Sequence, residues 1–323
     1  MSELYLGESG FLERMREEIE PYLRRYRRQV KFLGQEKAML CAYEYCLPGA
    51  DKCVVICHGF CEFAEKYNEI VYYFLQKGYS VYVPEHRGHG SSERFVPDSE
   101  MVYVESYGQY VEDLYCYTKR LEKFAEPHRY LFAHSMGGAI GVRCLEQHPG
   151  FFEKAVLSAP MFAMQTGKYG TAVAFLVAAA QVAAGNGNKY APGQSGFVAT
   201  PDFKGSSCVS ESRYYYVFQK RLGNRSYRTY GGCYRWVLES LLACHALMRK
   251  REREKIKIPI LLFSAGKDHM VKSRAHRIFA KGTKNTRLVF VPESKHEIYH
   301  AAYETRVRYF ETLFTFLETE SMG

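Results

Sequence analysis

Residues 131–138 read LFAHSMGG, and the reading of this stretch decides the fold. Ser135 stands between His134 and Met136, with Gly137 and Gly138 after it. Its approach, 129–133, is short and apolar, and 139–146 places small and apolar residues at helical spacing. The pattern is strand, sharp turn, helix. So tight a turn holds its central residue in a strained backbone conformation. It also brings strand and helix so close that only small neighbours fit, here Ala133 and Gly137. The hydroxyl is thereby pushed out at the end of a sheet, beside a helix N-terminus whose free N–H groups can stabilise a developing oxyanion. This is the mechanical content of the motif G-x-S-x-G, present here in an Ala-first form. The plain alternative is an ordinary turn with a serine cap, and the rest of the chain has to decide.

Working outward, the chain shows a βα rhythm. After an N-terminal helix, segments from Val30 and Ala38 read as a leading hairpin. Strands follow at 53–57, 80–84, 129–133 and 154–158, with helices at 67–77, 107–124 and after Ser135. Strands alternating with helices imply an α/β fold, a mainly parallel sheet covered on both faces. The rhythm breaks at Pro160. Residues 160–232 are Gly-rich, Tyr-rich and apolar by turns, which predicts a cap or lid inserted between 1–159 and 233–323. It resumes with a helix from Trp236, a strand at 258–264, a helix from Ser273, a strand at 287–291 and a last helix from Tyr299.

In an open α/β sheet, functional groups gather at the carboxyl ends of strands. Asp268 lies just past the strand at 258–264, and His296 just past the strand at 287–291. A serine hydroxyl is a poor nucleophile until a neutral imidazole takes its proton, and a carboxylate then orients and stabilises the imidazolium. The order Ser135, Asp268, His296 is the order of α/β-hydrolases. Two backbone donors are needed for the oxyanion: Met136, directly after the serine, and Phe60, in the loop HGFCEFAEKY after the strand at 53–57. His58 reads as a structural hydrogen-bonding residue, and EHRGHGSS (85–92) as a rigid loop rather than a metal or acid–base site. Asp113 reads as a helix-face residue or one supporting the site from behind.

Composition bounds the alternatives. A chain of 323 residues, 47% hydrophobic and 24% charged, can bury a large core and is not disordered; 27 Tyr and 21 Phe against one Trp make it aromatic-rich. Its ten cysteines lack paired short spacings and read as reduced thiols. Cys53, Cys57 and Cys61 invite a metal reading, but two of them lie on an apolar strand, so no metal is expected. No dinucleotide fingerprint or P-loop appears, and no cofactor is expected. The net charge of +9 is partly concentrated in PYLRRYRRQVK (21–31), read as a solvated helix face or, alternatively, a basic edge meeting anionic lipid. Nucleic-acid binding would need a recognised module and is not expected. The acidic start does not resemble a signal peptide, which predicts a cytoplasmic protein, with peripheral membrane or micelle contact as an addition. The apolar run 171–184 is too short for a span and reads as a buried or interfacial helix.

HGFCEFAEKY, EHRGHGSS, AHSMGGAI, SAGKDHMV and SKHEIYH, in this order, resemble the monoacylglycerol lipase and lysophospholipase group of α/β-hydrolases. APGQSG, SESRYYYVFQKRL and GGCYRWVLESL are most similar to its bacterial lysophospholipase L2 branch. Cys233 departs from the proline often found there. The resemblance implies hydrolysis of a lipid acyl ester, with Ser135 as nucleophile, His296 as base, Asp268 as its orienting partner, and Phe60 and Met136 as oxyanion donors. A small soluble ester, thioester or peptide is the second reading, and a silent hydrolase-fold binding protein the third. The apolar run of the insertion is expected to line an acyl tunnel, and Arg213, Arg221, Arg225 and Arg228 to meet an anionic headgroup.

Overall fold

The computed structural model describes residues 4–122 and 126–319. Its centre is an eight-stranded sheet: β1 Arg27–Leu33, β2 Met39–Tyr45, β3 Lys52–Cys57, β4 Tyr79–Pro84, β5 His128–His134, β6 Lys154–Ser158, β7 Ile260–Ala265 and β8 Thr286–Val291. The spatial order is β1-β2-β4-β3-β5-β6-β7-β8. β2 pairs antiparallel with β1 and β4, and every other pairing is parallel. β3, β4, β6 and β7 are buried almost throughout because helices cover both faces, which is why they read as continuous apolar runs. One apolar cluster joins the sheet to helices Tyr107–Leu121, Met136–Gln147, Tyr234–Leu247 and Ser273–Gly282. The other joins it to the N-terminal helix, Asn68–Gln76 and Tyr303–Glu318. This is the expected α/β-hydrolase architecture.

The strands following β3 lie on opposite sides of it, β4 on one and β5 on the other. Such a reversal opens a crevice at the carboxyl edge of a parallel sheet. The loops after β3, β5, β7 and β8, which carry Phe60, Ser135, Asp268 and His296, all emerge at that edge.

Several boundaries differ from the sequence reading for identifiable reasons. The helix expected over 107–124 is described as Tyr107–Leu121, opened by a Ser106–Gln109 capping box; 123–124 lie outside the described residues. The basic stretch 21–31 is not one helix face: Arg27 and Arg28 belong to β1 and pair with Glu65 and Glu44. The last helix starts at Tyr303 rather than Tyr299, because Ile298–His300 forms a separate turn. The His300 carbonyl there accepts from the amides of Val209 and Ser210.

The stretch 160–232 has more regular structure than its composition suggested, with helices Gly170–Ala183 and Glu211–Gly223. Arg213 fastens the second to the core: it is buried and bonds Glu69 at 2.7 and 2.6 Å and Glu8 at 2.9 Å. Only Ala178 of the first helix is buried, while Val173, Leu176 and Val177 are exposed. The helix expected over 171–184 is present, but it is not a buried one. Cys233 takes up the capping role at the return to the core, its Sγ accepting from the Trp236 amide at 3.4 Å. Among the described residues no helix is long and apolar enough to cross a membrane.

Candidate active site

β5 ends at His134, Ser135 adopts φ 52° and ψ −119°, and the helix Met136–Gln147 begins at once. A positive φ is costly for a serine, and surrounding bonds hold it there. The Ser135 amide donates to the Ser158 carbonyl at 3.1 Å, and its carbonyl accepts from Gly138 and Met161 at 2.9 and 2.8 Å. Gly137 is required by a close approach: a Cβ there would lie 2.1 Å from the Cys57 carbonyl oxygen. The helix therefore starts almost in contact with the end of β3, and Ala133 beside it is fully buried.

The hydroxyl so presented meets His296, whose Nε2 lies 2.8 Å from Ser135 Oγ. His296 Nδ1 lies 2.7 Å from Asp268 Oδ2. The other Asp268 oxygen accepts the Met270 and Val271 amides at 2.8 and 3.0 Å. Burial works against this carboxylate, but the hydrogen bond and charge of His296, with the two amides, bring its pKa below the ordinary value. Ser135 and His296 are themselves buried, so the three groups form a line largely screened from water. Among the described residues neither the Phe60 nor the Met136 amide donates to a protein acceptor. The Met136 N–H directly follows Ser135, and Phe60 follows the loop glycine Gly59.

The loop carrying Phe60 is braced by histidines. His58 Nδ1–H donates to the Gly59 carbonyl at 2.9 Å, and its Nε2 accepts the His86 amide at 3.0 Å. His86 Nε2–H returns a bond to the His58 carbonyl at 2.9 Å. Burial pushes His58 and His89 down to about 3 and His86 well below its usual range, so all three are neutral braces. Arg87 clamps Asp113 at 2.6 and 2.8 Å, which ties the neighbouring loop after β4, the one that carries His86 and His89, to the helix Tyr107–Leu121.

Behind the line lies a charged network that the sequence reading missed. The Glu62 carboxylate accepts from the Gly59 amide and Tyr67 hydroxyl at 2.5 Å each, Lys66 at 2.6 Å and Tyr299 at 3.2 Å. Lys66 also donates to Glu297, next to His296, at 2.8 Å. Burial alone would neutralise Glu62, yet the Lys66 charge holds it well below the usual carboxylate range. Lys66 is raised in turn, because Glu297 and Glu62 override its burial. The i, i+4 spacing of Glu62 and Lys66 was the one local signal.

The serine aminopeptidase S33 family profile matches residues 48–302. The chain belongs to this family. Among its relatives, lysophospholipase L2 of Escherichia coli strain K12 is 29% identical over 258 residues, covering 80% of this chain and 75% of its own. Probable lysophospholipase L2 of Haemophilus influenzae strain Rd is 24% identical over 311 residues, covering 94% and 96%. Among solved structures, a soluble variant of monoglyceride lipase from Saccharomyces cerevisiae has a TM-score of 0.70 at 15% identity, covering 90% of this chain and 96% of its own. A carboxyl esterase from Bacillus coagulans has a TM-score of 0.69, also at 15% identity. The two structural likenesses concern the fold.

This family member carries a cavity of about 360 Å³ beside the serine line, walled by Phe60 and Cys61 of the β3 loop and by Tyr214, Phe218, Arg221 and Tyr230 of the insertion. Residues 171–184 do not line it, contrary to the expected acyl tunnel. Of the four arginines expected at its mouth, only Arg221 does. Arg213 is consumed by Glu8 and Glu69, Arg228 bonds the Arg221 and Leu222 carbonyls, and Arg225 is exposed away from the cavity. Cys53, Cys57 and Cys61 are buried, which pushes all three thiols up and disfavours thiolate ligands. Among the described residues one metal-ligating group converges, Cys208, Glu297 and His300. Both Glu297 oxygens there are already engaged, by Lys66 and by His300 at 2.8 Å.

Proposed function

We propose that this chain hydrolyses carboxylic esters of lipids, lysophospholipid or monoacylglycerol, through an acyl-enzyme on Ser135. The observation that carries this reading is the hydrogen-bonded line from Ser135 Oγ through His296 to Asp268, at 2.8 and 2.7 Å. Ser135 Oγ attacks the ester carbonyl carbon while His296 Nε2 takes its proton, and Asp268 stabilises the imidazolium. The Phe60 and Met136 amides stabilise the oxyanion. Collapse breaks the bond to the glyceryl oxygen, which leaves with the proton from His296. Water, deprotonated by the same imidazole, then attacks the acyl-serine, releasing the fatty acid and restoring Ser135.

Within this reading residues 160–232 are a cap between the core segments 1–159 and 233–323, anchored by Arg213 and supplying a wall of the cavity. The exposed face of Gly170–Ala183, with Val173 and Leu176, is the surface that meets a membrane or micelle. The relatives named lysophospholipase L2 support the substrate class. A small soluble ester, thioester or peptide is the alternative substrate for the same groups, and acyl-chain dependence separates the two.

The test is hydrolysis of monoacylglycerols, lysophospholipids and p-nitrophenyl esters of graded length, with fluorophosphonate labelling of the native protein and Ser135→Ala. Ser135→Ala is expected to lose labelling and on the order of 10⁶ in kcat while remaining folded. Labelling at another residue would remove Ser135 from the role. A preference for acetate esters would remove the lipid.

A further inference from the structure

We infer that Arg221 is the phosphate-reading residue of a headgroup subsite, so that this chain selects lysophospholipid over the matching monoacylglycerol. This rests on the ester-hydrolase reading above. Arg221 lines the cavity beside the serine line together with Phe60. Its Nη2 donates to the Cys61 carbonyl at 2.7 Å, and its guanidinium lies 6.0 Å from the Phe63 ring centre and 5.6 Å from that of Tyr230. The group is thus held in place next to the residue that carries the proposed oxyanion donor.

Arg221 is nevertheless incompletely satisfied. Its Nε is buried without a hydrogen-bond partner among the described residues. No carboxylate there forms an ion pair with it, whereas Lys66, the other cation of the wall, is compensated by Glu62 and Glu297. Nη1, which makes no hydrogen bond among the described residues and is not enclosed, is the donor that an incoming anionic acceptor reaches, and a charge-assisted bond there compensates a guanidinium that has no carboxylate partner. The planar fork, pre-ordered by Cys61 and two aromatic rings, suits two oxygens of one phosphate.

The position fits the chemistry of the ligand. A lysophospholipid carries its phosphodiester on the glycerol that also bears the ester, so with the carbonyl at Phe60 and Met136 the phosphate falls close to the β3 loop. Arg221 is bonded to that loop one residue beyond Phe60. Asp202, exposed on the same wall, bonds the Gly205 amide and forms no ion pair among the described residues, leaving a carboxylate for a headgroup ammonium.

The experiment compares kcat/KM on lysophosphatidylethanolamine and on the monoacylglycerol of the same acyl chain for wild type, Arg221→Lys and Arg221→Met. Arg221→Met is expected to reduce the lysophospholipid value at least tenfold more than the monoacylglycerol value, chiefly through KM, with Arg221→Lys between. Glycerol 3-phosphate and inorganic phosphate serve as probes: both should inhibit wild type competitively and Arg221→Met more weakly, and the glycerol ester more strongly than phosphate if the site reads a lipid headgroup. Equal losses on both lipids would reduce Arg221 to a brace of the Cys61 loop and overturn the proposal, as would unchanged selectivity. If wild type turns over neither lipid, the ester-hydrolase reading itself fails. Turnover of both with selectivity indifferent to residue 221 sinks the headgroup subsite alone.

Discussion

Lys66 and Glu297 form a largely buried ion pair, 2.8 Å between Nζ and Oε1, that joins the loop after β3 to the loop after β8. Because Lys66 also bonds Glu62, and Glu62 holds the Gly59 amide, one ammonium fixes the approach to Phe60 and the residue beside His296. Lys66→Met leaves two carboxylates facing each other without a cation. It is expected to cost about 3–5 kcal/mol of stability. The variant should also lose kcat at temperatures where it remains folded. Denaturant unfolding and turnover measured together check this, and wild-type values for both would show that the network is ornamental.

Asp268→Asn should lower kcat by about 10⁴ without unfolding the chain. Oδ1 faces two amide donors, so the new NH₂ group is driven toward His296. His296 must then accept at Nδ1 and carry its proton on Nε2, where it cannot deprotonate Ser135. A single-turnover assay is the readout, and retained acylation would remove Asp268 from the line.

Gly137→Ala places a Cβ 2.1 Å from the Cys57 carbonyl oxygen and 2.4 Å from that of His58, both backbone. Neither can rotate away, so the helix after Ser135 must withdraw from β3 and carry the Met136 amide with it. Overpacking of this kind costs about 1–3 kcal/mol, and fluorophosphonate labelling should slow beyond what the stability loss explains. Full labelling rate in a folded variant would contradict the close approach.

Acid should destabilise the protein already in the range where a free imidazole titrates. Burial pushes His58 and His89 down to about 3, His134 and His276 to about 4, and His86 well below its ordinary range, against an ordinary value of 6.5. Between pH 6.5 and 5 the unfolded chain binds these protons and the folded chain does not, so stability falls as pH falls. Glu85 and Glu146, raised by burial to about 7, act in the opposite sense but are fewer. Urea unfolding should show a loss exceeding about 1.4 kcal/mol per pH unit, more than one net proton. A flat profile across that window would mean that these imidazoles are not buried and neutral.

Leu176 and Val173 stand exposed on the helix Gly170–Ala183. If that face meets lipid, Val173→Ser with Leu176→Ser should weaken liposome flotation by at least roughly tenfold, since burying each such side chain is worth about 1.5–3 kcal/mol. Turnover of a soluble short-chain ester provides the reference for folding. Undiminished flotation would move the membrane contact elsewhere.

The strands, the elbow at Ser135 and the order Ser135, Asp268, His296 were legible in the chain because each is written locally. Apolar runs bounded by turn residues mark the strands, and Gly137 is required within two residues of the serine it serves. Even the loops of Asp268 and His296 follow their strands directly. The insertion was legible only as an interruption: its composition gave no period, so the helix Glu211–Gly223 and the exposure of Gly170–Ala183 went unread, and four arginines looked equivalent.

What separated those arginines was distance in sequence closed by folding. Arg213 is neutralised by Glu69, 144 residues away, while Arg221 rests on the Cys61 carbonyl, 160 residues away, and keeps an unpaired donor. Lys66 and Glu297, 231 residues apart, belong to the same class. Local pattern determines which backbone conformation a segment adopts, because propensity, turn chemistry and apolar spacing act over a few residues. The partner and ionic environment of a charge depend instead on which distant segments the sheet order brings to one edge, and only the tertiary structure decided those.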